Sequence, residues 1–407
     1  MPHLRKNSRV IITGLAGRGN VGSRLKTERA RALTETASWR EPLPPHTGEA
    51  EFKLSLRGDV LLAPMTTLGI GGRARYFADA SGVDGLVAGV EWARSEALPL
   101  FVLGSGSNIV VADSGFPGLV LRVSMRGMIS RVEGKRAMVT VAAGEDWDGF
   151  VAACVARNWA GIECLSGIPG RIGATPIQNV GAYGQETSET LVSLKALSLE
   201  TGKLEELSAA ECEFGYRTSR FKTTARDRFV ITSVTYQLEV SGNPAMRYAE
   251  LERYLGEHGT TRPSLAQVRE AVLTLRRRKA MVIDYQDPDS RSVGSFFVNP
   301  ILTRAEFEEV KQRASGSIIG SEDMPTFPTA DDQVKLSAAW LIERAGIKRG
   351  YAHGGVGTST KHALAIVNRG GGTAGEIIKL KELIQGRVLD MFGLELTPEP
   401  VFVGFES

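Results

Sequence analysis

The sequence predicts an α+β architecture in more than one domain, on three observations. From Asp59 onward, apolar runs of strand length alternate with amphipathic helical stretches and glycine turns. That texture continues with no internal repeat and no low-complexity tract beyond residue 55. With 407 residues, the chain has the length for two or three domains and a sizeable core.

Taken in order, the first stretch of interest is "VIITGLAGRGNVG", Val10 to Gly22, with glycines spaced G-x-x-G-x-G-x-x-G as in a dinucleotide-binding turn. A Rossmann unit needs a second strand and an acidic residue about 20 residues on. Instead, the chain continues into a polar helical stretch and then a proline-rich linker near Pro42 to Gly48. Residues 1 to about 55 therefore read as an appendage, and the motif as a glycine-rich extension. Next, "ARYFADA", "GVDGLVAGVEWARSEA" and "LPLFVLGSGSNIVVADSGFPGLVLRV" read as strand, helix, strand. "AMVTVAAGEDWDGFVAACVARNWAGIECL" adds a strand and a helix from about Asp146 to Asn158. "LKALSLETGKLEELSAAECEFGYRTSRF" and "RFVITSVTYQLEV" add strands, with Thr201 and Gly202 as a hairpin turn. A helix from about Leu265 to Lys279 ends in "RRRK". Beyond it, "VKLSAAWLIERAG" and "TAGEIIKLKELIQGRVLDMFG" read as helices flanking a strand, "HALAIVN".

Composition narrows the function classes. The 49 Lys plus Arg against 46 Asp plus Glu leave a formal charge of +3, so no global field marks a nucleic-acid or membrane-surface protein. "RRRK" is short, lacks interleaved aromatics and suits a helix C-terminus. Cys154, Cys164 and Cys212 form no C-x-x-C pair, which fits a reducing cytosol and buried apolar roles. The five histidines show no metal-ligand spacing, so no metal site is expected. With no bilayer-length apolar stretch and no signal-peptide pattern, the expected location is cytoplasmic, without membrane insertion.

Two loops stand out. "GSGSN", Gly104 to Asn108, follows the strand "PLFVL", and its small residues let consecutive N–H groups converge on an anion; a plain β-turn uses the same residues. "SGIPGRIGATPIQNVGAYGQE", Ser166 to Glu186, packs five glycines and two prolines with Thr175, Gln178, Asn179 and Tyr183. It is too polar for core and too constrained for a linker, which marks a functional loop.

Together with "TTLGIGG", "FGYRTSRFK", "VGSFFVNP", "KLSAAWLIERAG", "STKHALAIVN" and "LTPEPVFVG", these loops occur in an order and spacing that resembles the UDP-N-acetylmuramate dehydrogenases of bacterial peptidoglycan synthesis, from about Pro64 to Gly404. The resemblance implies a two-part FAD-binding domain of the vanillyl-alcohol-oxidase (PCMH) type plus a C-terminal α+β substrate-binding domain. It divides the chain into an extension (1–55), two FAD-binding subdomains (56–125 and 126–280), a substrate-binding domain (281–392) and a C-terminal segment (393–407). FAD is expected to be non-covalent, because "GSGSN" lacks the histidine that covalent relatives use there. Gly104, Ser105, Gly106, Ser107 and Asn108 match one flavin segment. Ile168, Gly170, Gly173, Ala174, Thr175, Gln178 and Gly181 match the other.

The implied reaction passes a hydride from NADPH through FAD to the enolpyruvyl ether of a UDP-sugar. Charge then develops on the substrate carboxylate, so a cation, an acid and a proton donor are needed. Arg217 matches the carboxylate-binding arginine, whose planar fork suits that group. Glu399 matches the glutamate beside the developing enolate, and Ser295 matches the general acid. Tyr248 matches the tyrosine that covers the UDP part in type I members, Lys279 a diphosphate lysine, and Tyr183 and Asn299 other pocket residues. Partners implied are the UDP-sugar and NADPH alone, with a monomeric chain. Arg171 departs from the family, which commonly has a small residue there. The stretch "KRGYAHGGVGTSTKHALAI" differs in length from several relatives, with His353 and His362 read as ordinary loop or strand residues. Competing readings are a non-catalytic scaffold, disfavoured by intact Arg217, Ser295 and Glu399, and an oxidase of the same superfamily, disfavoured by Tyr248 and Lys279.

Overall fold

Two sheets that share one apolar core make up the first of two units in this computed structural model, which describes residues 11–12, 54–315, 324–327, 329 and 332–405. The unit comprises Arg75–Gly104, Pro117–Leu273 and the described residues up to Val60. Its first sheet has the order Ile11–Ile12, Ser55–Leu61, Arg73–Ala80, Phe116–Val123, Leu100–Leu103, and the last two strands run parallel. Parallel neighbours require a crossover. For that pair the connection is residues 104–115. The helix Val83–Ser95, which in sequence lies between Arg73–Ala80 and Leu100–Leu103, buries Leu86, Gly89, Val90 and Ala93 on one face, the helical repeat seen in the sequence. Gly89 lets that helix approach the sheet, because a Cβ there would meet Leu121 Cδ2 at 2.7 Å.

The second sheet is antiparallel, ordered Leu204–Ser208, Leu191–Ser198, Phe229–Val240, Arg136–Ala142, Met128–Glu133, with Trp159–Ala160 pairing the end of Phe229–Val240. Ala137, Val139 and Val141 alternate inward, as a half-buried strand must. The hairpin at Thr201 and Gly202 forms as expected, with Gly202 at φ +68° donating to the Ser198 carbonyl at 2.9 Å. Helix Trp147–Ala156 is capped by Asp146, whose carboxylate accepts from Gly149 N. Trp147, Phe150 and Tyr236 pack ring to ring at the centre of this core. Burying each such side chain contributes roughly 1.5–3 kcal/mol.

The second unit gathers Leu61–Ala74, Ser105–Phe116 and Thr274–Ser407. Its small sheets are Ile301–Thr303, Gln333–Leu336, Thr326–Phe327 and Ala352–His353, Val356–Thr358, Ile366–Asn368. Strand Val401–Val403 pairs in parallel with Ile109–Val111, closing segments far apart in sequence. The long helix Ala374–Phe392 starts in a capping box of Thr373 and Glu376 and stops at Gly393 in the left-handed conformation. It buries Ile377, Leu380, Ile384, Val388 and Phe392 along one stripe.

The stretch "VKLSAAWLIERAG", read from sequence as one helix, divides into the end of strand Gln333–Leu336 and a helix Ala338–Arg344. The divider is Ser337, whose hydroxyl accepts from Trp340 N and caps the helix. The three cysteines are free and buried. The glycines of the Val10–Gly22 stretch and the linker near Pro42 lie outside the described residues.

Candidate active site

In the first unit, the long loop Ser166–Glu186 is held by side-chain and backbone bonds. Gly173 N donates to the Ala143 carbonyl at 2.9 Å, and a Cβ on Gly173 would sit 2.7 Å from Ala143 Cβ, so only glycine allows this approach. Thr175 is buried, with its hydroxyl 2.9 Å from the Ile172 carbonyl and 2.8 Å from the Tyr236 hydroxyl. Asn179 is buried with a left-handed backbone (φ +44°). Its amide donates to Glu186 at 2.7 Å and to the Gly215 carbonyl at 3.1 Å, and its carbonyl accepts from Ser188 N at 3.0 Å. Gly181–Ala182 and Gln185–Glu186 then form a hairpin through Tyr183 (φ +48°) and Gly184 (φ +81°), the two positive φ values that a tight hairpin turn demands. Ile168, Ala174 and Gln178 lie half-buried on the same loop.

A second tight turn meets that loop. Gly215 and Thr218 exchange backbone hydrogen bonds, leaving Arg217 at φ +54°. Arg217 Nη2 donates to the Gly181 carbonyl at 2.5 Å, and its guanidinium lies 5.2 Å from the centre of the Tyr216 ring. Ser219, buried, donates to the Ile177 carbonyl at 2.6 Å. Tyr183 and Tyr248 meet edge to face at 5.3 Å. Burial pushes the Tyr248 phenol up, and Glu250 and Tyr216 add to it, so the phenol stays protonated and keeps a donor. One unit therefore assembles Tyr183, Arg217, Tyr248 and the loop expected to hold flavin.

Sequence reasoning missed the buried carboxylate behind them. Glu163 accepts from Gly161 N (2.8 Å), the Gln185 amide (2.9 Å) and Ala245 N (2.8 Å), and Gln185 in turn accepts from Cys164 N at 2.8 Å. Tyr216 was also missed, although it adjoins Arg217 in the quoted motif. A glutamate beside a cysteine in "GIECL" carries no signal of this role.

In the second unit, Ser105–Asn108 forms the other glycine loop, after Gly104 ends the strand Leu100–Leu103 of the first unit. Gly106 has φ +67°, and a Cβ there would lie 2.1 Å from the Met65 carbonyl oxygen, so the chain tolerates only glycine. The backbone N–H groups of Ser105, Gly106 and Ser107 make no hydrogen bond to a described residue, which leaves a row of donors of the kind that receives an anion. Asn108 bonds the chain near the C-terminus, its side-chain amide donating to the Glu399 carbonyl at 3.3 Å and its backbone carbonyl accepting from Val401 N at 3.0 Å. Glu399 N donates to the Phe296 carbonyl at 2.9 Å and Val298 N to the Thr397 carbonyl at 3.0 Å. This isolated antiparallel bridge, with Phe297 opposite Pro398, brings the segments that carry Ser295 and Glu399 side by side, each residue half-buried. Asn299 accepts from Ala338 N at 2.9 Å, and so helps to seat a helix start. Lys279 is half-buried just past helix Leu265–Arg278.

Among the described residues, no group of three His, Cys, Asp or Glu is placed to hold a metal, and no helix is long and apolar enough to cross a membrane.

Comparison with known proteins places the chain in a family. A model of the C-terminal domain of UDP-N-acetylenolpyruvoylglucosamine reductase matches residues 286–403, and an FAD-binding-domain model matches residues 74–208. The chain is 48% identical over 353 residues to the UDP-N-acetylenolpyruvoylglucosamine reductase of Thermobifida fusca, covering 86% of this chain and 98% of the relative. The chain belongs to the UDP-N-acetylenolpyruvoylglucosamine reductase family. A second member, from Streptomyces coelicolor, is 43% identical over 348 residues, covering 85% of this chain and 90% of the relative. The reductase structure from Thermus caldophilus shares the fold, with a TM-score of 0.57 and 22% identity over 86% of this chain and 99% of that one. As a family member, the chain is an FAD-dependent oxidoreductase of peptidoglycan precursor synthesis, with the two-part flavin domain and C-terminal domain expected from sequence. Gly104 through Asn108 and the loop Ser166–Glu186 fall inside the flavin-domain match, while Ser295, Asn299 and Glu399 fall inside the C-terminal match.

Proposed function

We propose that this chain oxidises NADPH and reduces the enolpyruvyl ether of UDP-N-acetylglucosamine enolpyruvate to UDP-N-acetylmuramate, with FAD held non-covalently. The observation that supports the residue assignment is the backbone pairing that sets the segments of Ser295 and Glu399 side by side. When bound, the flavin supplies hydride to the vinyl terminus of the substrate. The glycine loop with its row of N–H donors suits the cofactor's diphosphate, and Ile168, Gly170, Gly173, Ala174, Thr175, Gln178 and Gly181 line the second flavin segment.

Arg217 holds the substrate carboxylate with its planar fork, aimed by the bond to the Gly181 carbonyl, and this attraction grows as charge builds there. Glu399 shares a proton with the developing enolate. Ser295 delivers a proton to the α-carbon and takes one back through a relay with water. Tyr248 covers the UDP part with Tyr183 edge-on beside it, Lys279 pairs with the diphosphate, and Asn299 is a further pocket residue. The enzyme acts as a cytoplasmic monomer on small molecules alone.

An anaerobic flavin spectrum tests this. NADPH bleaches the flavin band, and the enolpyruvyl substrate restores it. Bleaching without recovery removes the assigned substrate and leaves a reductase of another acceptor.

A further inference from the structure

One cation beside the flavin loop has no role in the reaction described above. Arg171 stands between Gly170 and the short helix Ile172–Ala174. Its stem lies along Gly104: a Cβ added there would sit 3.8 Å from Arg171 Cγ. The side chain is half-buried and makes no hydrogen bond or ion pair with a described residue.

The neighbouring carboxylates are engaged elsewhere. Glu145 pairs with Arg126 at 3.1 Å and accepts from Gly127 N at 2.8 Å. Asp146 caps helix Trp147–Ala156. Burial, with like charge from Arg126 and Arg122, outweighs the pull of Asp146 and Glu145 and pushes the Arg171 guanidinium down from its usual value. The bridge between Asp146 and Arg171 uses the amides of Trp147 and Ile172, and leaves the N–H groups of Ile168, Gly170 and Arg171 without a described acceptor.

We propose that Arg171 and these three amides clasp the diphosphate that joins the two halves of the flavin dinucleotide. This rests on the flavoenzyme reading and extends it to a charged side-chain contact. The guanidinium offers a fork to paired phosphate oxygens, and the amides supply fixed dipoles, so the site favours a diphosphate over a neutral flavin.

The test is flavin binding by the full-length chain freed of flavin, followed by fluorescence quenching, for FAD, FMN and riboflavin. Arg171→Gln keeps the stem against Gly104 and removes the charge. It is expected to weaken FAD at least tenfold, to leave riboflavin within twofold, and to flatten the salt dependence of FAD binding, with Arg171→Lys in between. Unchanged FAD affinity in Arg171→Gln, or equal losses for FAD and riboflavin, overturns the clasp. So does unchanged FAD affinity with a raised KM for NADPH, which moves the anion to the reductant. A wild-type chain that binds no FAD overturns the flavoenzyme reading and the clasp together, whereas failure of the clasp alone leaves wild-type binding intact.

Discussion

The two units position their candidate functional residues by different means. In the first unit, three non-glycine residues of the site loops, Asn179, Tyr183 and Arg217, adopt left-handed backbone. In the second unit, Ala280 (φ +54°) is the one non-glycine residue with positive φ among the described residues, and the segments of Ser295 and Glu399 have none; they are set by backbone hydrogen bonds around one antiparallel bridge. Left-handed backbone costs an L-residue roughly 1–2 kcal/mol. It persists where surrounding bonds over-determine it, and Asn179 with its three hydrogen bonds supplies that over-determination. The first unit thus uses local conformational strain to aim a guanidinium and a tyrosine; the second relies on register.

The largest expected effects separate the halves by stability, not by turnover. Arg217→Ala and Ser295→Ala are each expected to lower turnover by about 10²–10³-fold while NADPH still bleaches the flavin. Arg217→Ala also loses its bond to Gly181 and destabilises by about 1 kcal/mol, whereas Ser295→Ala stays within about 0.5 kcal/mol. Equal urea midpoints for the two variants break the comparison.

Next comes Glu163→Ala, which strips acceptors from Gly161 N, Ala245 N and the Gln185 amide. The expected loss is about 3 kcal/mol, at about 1 kcal/mol for each buried donor left unpaired. A denaturation midpoint within error of wild type removes Glu163 as the anchor of these loops.

The thiols set an alkaline limit. Cys154, Cys164 and Cys212 are all buried and all lie in the first unit. Burial pushes each up, Cys212 to about 11 and the other two further. The unfolded chain loses these protons near pH ~8.5 while the folded chain keeps them, so stability is full below that pH and falls as pH rises toward 11. Each thiol contributes a slope of up to about 1.4 kcal/mol per pH unit. Urea unfolding between pH ~8 and ~10 should show this decline, and Cys154→Ala should reduce it by about a third. A flat profile places these thiols in contact with water.

The smallest effect isolates strain itself. Asn179→Gly and Asn179→Ala lose the same side-chain bonds, but only alanine keeps the left-handed penalty, so glycine should be the more stable variant by about 1 kcal/mol. If alanine matches glycine, the backbone at 179 is not held left-handed and the contrast between the units loses its basis.

Much of the architecture was legible because it is local. The repeat of Leu86, Gly89, Val90 and Ala93, the alternation of Ala137, Val139 and Val141, and the Thr201–Gly202 turn each encode one element within a few residues. The helix start at Ser337 escaped notice because an apolar strand running into an apolar helix shows no change of hydropathy; only the capping bond marks the break. Glu163 escaped for a different reason. Its partners lie as far as 82 positions away, at Ala245, and no local pattern distinguishes a buried anchor from a solvated glutamate. Tyr216 and Ser219 acquire meaning only when the turn at Gly215 meets the loop at Ile177.

By itself, the sequence determined the α+β class, the two glycine loops, the absence of a global charge field and the motif series that places the chain in its family. These depend on residue type and short spacing, which the chain carries whether folded or not. Tertiary structure alone decided that the segment Thr397–Glu399 pairs with Phe296–Val298, that Glu163 joins three loops, and that Arg171 finds both nearby carboxylates engaged. Such facts depend on which distant groups reach hydrogen-bond distance and which are left over, a competition that exists only once the backbone has closed around them.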